Sequence, residues 1–469
     1  MSILPTRQIP KKASRLDRSP YRVAVGLFAL VGATFVGESI QHHAGPLQAW
    51  PLYALWEPSI GPRIFLVCAI AAVGWFLKRA ALRVRRSVFL TMIVAFTWTF
   101  ALVVAIQGSS VKTESGCCAR GGAPAEITAP FRDSDSYFAN VALVDRLGPK
   151  EFAEDYSTLD QPPYTKLSIH ALTHPPGAPL LLWASDEAVG ENLLGVCLLM
   201  MLLGALSSVA TYLIALELHG ERAARLAGLL FCVAPAVVLY LATSMDAVFM
   251  TGIAFCFAAL VRGLRSDKWA FVAGVLFALA LMLTFSALAI VLVAFGLAAV
   301  WGREISSAEL ARRGTFLLLG LAGGLGGFWL ALGVDMPGVW AATTAAHATL
   351  ASTYRPYLYW VWANLVTFFI VAGIPQAALM AWEVRIRWRS RTPGLETVTL
   401  VTLLLLTVSN VFKGEVDHIW LFMVPLVAVS AGAGLDHLTA DNESRELARA
   451  LGWSAFQAVA MQALLFTYW

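Results

Sequence analysis

The fold class that this sequence predicts is an all-α polytopic membrane protein, and three observations indicate it. Of the 469 residues, 58% are hydrophobic and only 14% are charged, with a mean hydropathy of +0.69. A soluble domain carries about 25% charged residues. Apolar runs of about 20 residues recur from end to end, each long enough to cross a hydrocarbon core of roughly 30 Å. The 16 tryptophans suit anchoring at the membrane interface. The lipid bilayer is therefore the expected surrounding, and no nucleic-acid partner is expected.

Positive charges mark the cytoplasmic side of a membrane protein, and they organise the first part of the chain. Residues 1–21 form a basic segment that we place in the cytoplasm. Residues 22–108 hold three transmembrane helices, predicted at about 22–40, 61–77 and 87–108. Residues 109–188 form a long polar loop with six Lys/Arg against eleven Asp/Glu. The resulting net charge of −5 favours the extracytoplasmic side for this loop.

Residues 189–469 are predicted to hold about ten more helices, which makes about 13 in total and leaves the C-terminus outside. The segment 269–302 is flanked by basic residues at both ends, so it must cross the membrane twice, with an apex near Thr284-Phe285-Ser286. An outer loop is predicted at 334–356. The other helices are predicted at about 190–217, 226–244, 246–263, 314–333, 357–382, 395–412, 419–435 and 451–468.

The same charge rule places a set of polar residues, far apart in the sequence, on one side of the membrane. Such a set is what a site at a membrane–water boundary requires. It includes aspartates, histidines, tyrosine and basic residues that can serve acid–base chemistry or anion binding. The members are Asp133, Asp135, Tyr137, Lys166, His170, His174, Asp246, Arg355, Lys413, Glu415, Asp417 and His418.

Several of these residues also have a structural interpretation. Asp133 and Asp135 can cap the helix predicted after them, bind a divalent cation such as Mg²⁺ or Mn²⁺, or accept a proton. Asp246 opens a helix as it enters the bilayer, where a carboxylate costs free energy unless water or a partner satisfies it. Capping and function both stay open for Asp246, with function favoured. His174 taken alone is more often structural.

The segment that follows the acidic motif resembles a known superfamily. "FRDSDSYF" (131–138) precedes a helical stretch, and "HPPG" (174–177) then leads into an apolar helix. This order resembles the first outer loop of GT-C glycosyltransferases, in the branch of protein O-mannosyltransferases, aminoarabinose transferases and lipopolysaccharide sugar transferases. Asp246 matches the second acidic residue of that branch, whereas Ser134 stands where Glu is usual. The likeness covers about 130–300.

The resemblance implies a GT-C fold in the cell membrane, most simply the bacterial plasma membrane, and an active site on its outer side. It also implies that the large extracytoplasmic loop carries short interfacial helices. The implied reaction moves a sugar from a polyprenyl-phosphate donor to an extracytoplasmic lipid, glycan or protein by inverting displacement. Asp133 or Asp135 is then the general base, and Asp246 orients donor or acceptor. A divalent cation at Asp133 and Asp135 is compatible with this reaction but not required. The expected binding residues are Tyr137 beside the acidic motif, Lys166, His174, Arg355 and Lys413 for the phosphate, and Glu415 and His418 for sugar hydroxyls.

Two other classes of function stay open at this stage. A transporter or flippase of a lipid-linked or polar substrate predicts ionisable residues near helix midpoints, which are few here, and gives the long outer loop no ready role. A polysaccharide ligase with a diphosphate donor is separated from the glycosyltransferase only by the "HPPG" resemblance.

Single-cysteine labelling tests the predicted topology. In a cysteine-free background, Arg120→Cys, Arg355→Cys and Lys413→Cys should react with a membrane-impermeant maleimide added outside. Arg86→Cys, Arg313→Cys and Arg389→Cys should react only after permeabilisation, because positive charges stay cytoplasmic. Reaction of Arg313→Cys from outside would contradict the double crossing of 269–302.

Overall fold

The structure is a computed structural model that describes residues 25–26, 52, 54–56, 92–93, 96–101, 123–159, 167–241, 244–301, 304–350, 357–438 and 443–467. Apart from two three-residue strands, the regular structure in these ranges is helical, which confirms the predicted all-α class. Strand β1 (Ala54–Trp56) pairs antiparallel with β2 (Leu465–Thr467), with Leu55 opposite Phe466. The three helices predicted within 22–108 lie mostly outside the described residues, so the count of about 13 stays a prediction.

The polar loop predicted at 109–188 contains short helices, as expected. Two 3-10 helices, at Tyr137–Asn140 and Tyr156–Thr158, alternate with them. The α-helices are α1 (Ala123–Arg132), α2 (Val141–Leu147), α3 (Pro149–Glu154), α4 (Ile169–Leu172) and α5 (Gly177–Val189).

The apolar part of the chain supplies the remaining helices, and further 3-10 turns lie at Phe285–Leu288 and Trp420–Met423. Its first half forms α6 (Leu193–Ala205), α7 (Ser207–His219), α8 (Glu221–Cys232), α9 (Pro235–Tyr240), α10 (Asp246–Gly263), α11 (Asp267–Leu283), α12 (Ala289–Trp301) and α13 (Ser307–Leu332). Its second half forms α14 (Met336–Leu350), α15 (Tyr357–Ala372), α16 (Ile374–Arg389), α17 (Leu395–Val408), α18 (Val416–Ile419), α19 (Val424–Leu438) and α20 (Glu443–Leu464).

Several stretches of the described chain are long and apolar enough to cross a membrane. There are four of them, Leu193–His219, Asp246–Gly263, Ser307–Leu332 and Val416–Leu438, or up to five if the bent pair α15–α16 counts as one span. The protein is therefore a multi-pass membrane protein. Burial separates central from peripheral spans: 94% of the most apolar window of Val416–Leu438 is buried, against 6% in α13.

Some predicted helix boundaries are wrong. The helix predicted at 226–244 ends at Cys232 and restarts at Pro235, because proline can begin a helix but cannot continue one. The helix predicted at 357–382 breaks at Gly373, where φ is 106° and Pro375 follows; α15 and α16 meet at 110°. The helix predicted at 190–217, by contrast, is present as one span, Leu193–His219, with a local interruption at Leu206. The predicted outer loop 334–356 contains α14, and the last predicted helix begins earlier, at Glu443.

The hairpin predicted within 269–302 has its break where the sequence indicated it. Helix α11 ends at Leu283, Thr284 is extended, and its side chain accepts a hydrogen bond from Ser286 N at the start of a 3-10 turn. Arg312 in α13 pairs with Asp267 at the start of α11, at 3.2 Å. Between Asp267 and Arg312 the chain therefore starts from one end of the helices and returns to that same end.

Arginines gather at that end, remote from the start of α10. Arg262, in the last turn of α10, contacts Glu217 near the end of α7 at 2.6 Å. Arg313 donates to the Leu264 carbonyl. Because α10 has 18 residues and each residue rises about 1.5 Å, these arginines are separated from Asp246 by most of a bilayer. One end of the helices is thus basic and the other carries Asp246.

Glycines allow α11 and α13 to pack with their backbones in contact. A Cβ added at Gly274 would overlap the Leu317 carbonyl, and one added at Gly320 would overlap the Phe271 carbonyl. Small residues permit such close approach between helices in a membrane. The same helix α13 also carries Gly323, where an added Cβ meets nothing within 4 Å.

Substituting these glycines should separate packing from helix propensity. Gly320→Ala should lower the unfolding free energy by about 1–3 kcal/mol, the usual cost of overpacking, even though alanine favours the helix. Gly323→Ala is the matched control and should be neutral or stabilising by up to about 1 kcal/mol. The measurement is the melting temperature of both variants in detergent; equal values would contradict the close α11–α13 contact.

Candidate functional site

The "HPPG" elbow (174–177) lies at the end of the polar loop, where the loop meets the apolar helices. Helix α5 begins at Gly177, with Pro176 as its N-cap. Because prolines cannot continue a helix from before them, Pro175 and Pro176 separate α4 from α5. A Cβ added at Gly177 would overlap the Met282 carbonyl in the last turn of α11. Glycine at 177 is therefore required for the elbow to lie directly on the hairpin.

A buried tyrosine of the polar loop is hydrogen-bonded to the backbone of the elbow. The Tyr156 hydroxyl lies 2.5 Å from the Ala171 carbonyl and 3.0 Å from the His174 carbonyl, so it donates to this pair of acceptors. The side chain is 3% exposed, and burial raises the pKa of its hydroxyl, which keeps the donor proton in place. The loop helices and the elbow therefore form one unit.

His174 is held as a neutral imidazole. Its Nδ1 lies 3.0 Å from the His170 carbonyl, which can only accept, so Nδ1 carries the proton and Nε2 the lone pair. Burial lowers the pKa of His174 to about 4, against an opposing effect of the negative charge of Asp246. The ring lies edge-to-face with Tyr137 and stacks on Phe249. At neutral pH His174 offers an acceptor, and it would have to gain a proton to donate to a phosphate.

His170 lies among carboxylates from three separate segments. Its pKa is lowered by burial, and the negative charges of Asp246, Asp135 and Glu415 oppose that shift. Its ring centroid is 5.5 Å from that of Tyr137, and its backbone N–H donates to the Asp135 carbonyl at 3.3 Å. His170 therefore connects the acidic motif, the elbow and the membrane helices.

The two aspartates of the acidic motif have different local roles. Both are exposed. The Asp133 carboxylate accepts the Asp135 N–H at 2.8 Å and closes a tight turn. The following 3-10 helix begins at Tyr137, and its N-cap is Ser136, which makes no side-chain cap hydrogen bond. Neither aspartate is the N-cap, so the interpretation of this motif as a helix cap is wrong. The negative charge of Asp135 is among those that raise the pKa of His170.

Asp246 and His418 form a hydrogen-bonded pair. The His418 Nδ1 lies 2.9 Å from Asp246 Oδ2, which also accepts from the Ser244 hydroxyl at 2.5 Å. Asp246 is the first residue of α10, whose N-cap is Met245 without a side-chain cap, so capping is not its role. A carboxylate bonded to one ring nitrogen fixes the orientation and tautomer of the histidine.

A second carboxylate–hydroxyl pair lies beside the first. Tyr240 in α9 donates to Asp417 Oδ2 at 2.7 Å, and its ring centroid is 6.0 Å from that of His418. Asp417 is 1% exposed, and its Oδ1 finds no hydrogen-bond partner in the described part of the chain. The pair anchors α18 to α9.

The turn before α18 carries the last two predicted site residues. Lys413 and Glu415 are half-buried, and Glu415 has φ 58° in the left-handed region that non-glycine residues rarely occupy. The predicted residues Lys166 and Arg355 lie outside the described residues.

The structure thus joins most of the predicted set and adds residues that the sequence interpretation missed. Tyr137, His174, Asp246 and His418 lie around one centre, with Asp135 and Glu415 at its edge. Ser244 carried a local signal, because a serine two residues before an aspartate commonly bonds it. No local sequence pattern indicated Tyr156, Tyr240 or Phe249, because their partners lie in other segments of the chain.

No group of three or more His, Cys, Asp or Glu side chains that can hold a metal ion occurs in the described ranges. The divalent cation considered at Asp133 and Asp135 stays a prediction.

A family model matches the part of the chain that holds the elbow, Asp246 and the hairpin. Its description is "Dolichyl-phosphate-mannose-protein mannosyltransferase", and it matches residues 173–326, about one third of the chain. The resemblance to GT-C glycosyltransferases is confirmed. No curated protein sequence matches the chain at a significant level.

Solved structures of low sequence identity are similar over most of the chain. ArnT from Cupriavidus metallidurans matches in the apo state (15% identity, TM-score 0.44) and bound to undecaprenyl phosphate (14%, 0.49). The Archaeoglobus fulgidus oligosaccharyltransferase, in complex with Zn and sulfate, matches at 13% identity and a TM-score of 0.43. Each match covers 80% of this chain, which spans only 59%, 60% and 53% of those three chains respectively.

The neutral state of His174 predicts a pH dependence of stability. The unfolded imidazole gains a proton near pH 6.5, whereas the folded one does so only near pH 4. Stability should therefore fall as the pH decreases from about 6.5 to 4, by at most about 3 kcal/mol from this group. His174→Asn keeps a donor at the Nδ1 position but cannot titrate.

Thermal melting of both proteins between pH 7 and 4 checks this expectation. The wild-type melting temperature should fall more steeply than that of His174→Asn. Parallel curves would show that His174 is charged, or exposed, in the folded protein.

Proposed function

We propose that this chain is a membrane glycosyltransferase that transfers a sugar from a polyprenyl-phosphate donor to an extracytoplasmic acceptor hydroxyl. The observation that carries the proposal is the cluster of carboxylates and histidines around Asp246 and His174, at the end of the helices remote from the arginines. The matched family model covers His174 and Asp246 and is named for a dolichyl-phosphate sugar. The proposal adopts that donor class only, because the match covers about one third of the chain.

In the proposed reaction, a carboxylate removes the acceptor's O–H proton as that oxygen attacks the anomeric carbon. The bond from this carbon to the phosphate oxygen breaks, polyprenyl phosphate leaves, and the anomeric centre is inverted. Asp135 is the better base of the two aspartates, because the Asp133 carboxylate already accepts the Asp135 N–H. Lys413 is assigned to the departing phosphate, since a cation offsets charge that develops there.

The histidines and remaining carboxylates are assigned to the substrate hydroxyls. A neutral His174 accepts a hydrogen bond at Nε2, and sugar hydroxyls are suitable donors. Asp246 orients His418 through its Nδ1, so both act as one unit. Glu415 adds a further acceptor near His170.

The positions of ionisable residues favour this proposal over a transporter. In the four helical stretches long enough to span a membrane, the ionisable side chains lie within about seven residues of an end. A transporter with a substrate site at the midplane would carry some of them near the middle.

Substitution of the acidic motif tests the proposed base. Asp135→Asn should lower the transfer rate by about 10²–10⁴, the usual contribution of a general base, with an unchanged melting temperature. Asp133→Asn keeps the acceptor for the Asp135 N–H and should be much milder. Asp145→Asn, an exposed aspartate in α2, is the matched control and should behave as wild type.

The assay follows the release of undecaprenyl phosphate by mass spectrometry in nanodiscs. Wild-type protein should consume undecaprenyl-monophosphate sugars and not the corresponding diphosphates. Use of the diphosphate donor alone would support a polysaccharide ligase instead. Wild-type turnover in both Asp133→Asn and Asp135→Asn would exclude the acidic motif as base.

A further inference from the structure

Asn364 is a fully buried amide in an otherwise apolar helix. It stands in "YWVWANLVTFF" (359–369) of α15 and is 0% exposed. A buried amide is unfavourable unless its donor and acceptor are both bonded. Both are: Nδ2 donates to the Phe412 carbonyl at 2.8 Å, and Oδ1 accepts the Gly414 N–H at 3.1 Å. The two bonds hold the residues on either side of Lys413.

The segment clamped in this way is a strained turn. Gly414 has φ 93° and Glu415 has φ 58°, so two successive residues are in the left-handed region. A non-glycine residue keeps such a conformation only where its surroundings impose it, and such positions concentrate at functional sites. Asn364 supplies that restraint from a separate helix.

The turn also determines where α18 begins. The Glu415 carbonyl accepts the N–H groups of His418 and Ile419, which form the single turn of α18. His418 is in turn bonded to Asp246. A displacement of the turn would therefore move Lys413, Glu415 and His418 together.

We propose that Asn364 is a positioning residue, which fixes the 412–415 turn so that Lys413 and Glu415 face the sugar-phosphate donor. This inference rests on the proposed function for the role of Lys413, and on the two amide hydrogen bonds for the role of Asn364. It assigns a function to a polar side chain that neither the matched family segment, 173–326, nor the acidic motif includes.

Kinetics in the glycosyl-transfer assay test whether Asn364 contributes to transfer through Lys413. Asn364→Ala should lower kcat/KM by about 10–100-fold, because loss of fixed geometry slows transfer. The effect should be clearly smaller when Lys413 is already alanine, because Lys413 is one of the two groups that the turn positions. Non-additivity of this kind identifies residues that act through one another. Thr407→Val is the matched control. It removes a different hydrogen bond to α15, from Thr407 in α17 to the Val361 carbonyl, and it should leave kcat/KM unchanged.

A second variant distinguishes the loss of positioning from misfolding. Asn364→Gln keeps an amide in the helix but is one methylene longer, so it should remain folded and still lose transfer. Its melting temperature should fall somewhat, because the position is fully buried. Wild-type kcat/KM in Asn364→Gln and Asn364→Ala would overturn the proposal. A full loss from Asn364→Ala in the Lys413→Ala background would do so as well.

A readout independent of catalysis separates this proposal from the proposed function. A nitroxide attached through Lys413→Cys in a cysteine-free background should become more mobile on Asn364→Ala, and not on Thr407→Val. If no polyprenyl-phosphate sugar is used by the wild type, the proposed function fails while this measurement still reports on the clamp. Unchanged mobility would overturn the positioning role itself.

Discussion

The close approach of Gly177 to the last turn of α11 is the constraint on which the candidate site depends. Because position 177 has no side chain, α5 begins directly against the Met282 carbonyl. His174 lies one turn upstream, so its position relative to Phe249 and Tyr137 follows from this contact. The polar loop is thereby joined to the apolar helices as a rigid part of the candidate site.

The second constraint is that polar groups in a bilayer must find partners within the protein. At the site end, Asp246 is bonded to His418 and Asp417 to Tyr240, and each pair joins segments more than 150 residues apart. Such bonds are strong in a low-dielectric interior and costly to break. These bonds therefore fix the relative positions of the candidate site residues, which the loops alone would not fix.

The opposite end of the helices meets the same requirement differently. Glu383 is 0% exposed and accepts from Arg387 at 2.5 Å and from the ring of His437 at 2.7 Å. Here cations and carboxylates are matched, and removing one partner would leave a buried charge. At the candidate site, by contrast, a neutral histidine and a strained Glu415 are retained. The two ends therefore differ in the chemistry of their polar groups: buried ion pairs with arginine lie at one end, and a neutral histidine beside hydrogen-bonded carboxylates lies at the other.

The sequence by itself determined the class of fold, the division into basic and reactive ends, and the hairpin break at Thr284, because hydropathy and charge act locally along the chain. It also indicated His174, Asp246 and His418 as members of one site. Tertiary structure alone decided that Asp246 bonds His418, that Asp133 closes a turn and leaves Asp135 near His170, and that Asn364 clamps a strained turn. These contacts depend on the distances between remote segments, which no local pattern encodes. The helix breaks at Gly373 and Pro235 were open to sequence interpretation, but whether a Gly or Pro bends a membrane helix depends on which neighbours satisfy the freed backbone groups.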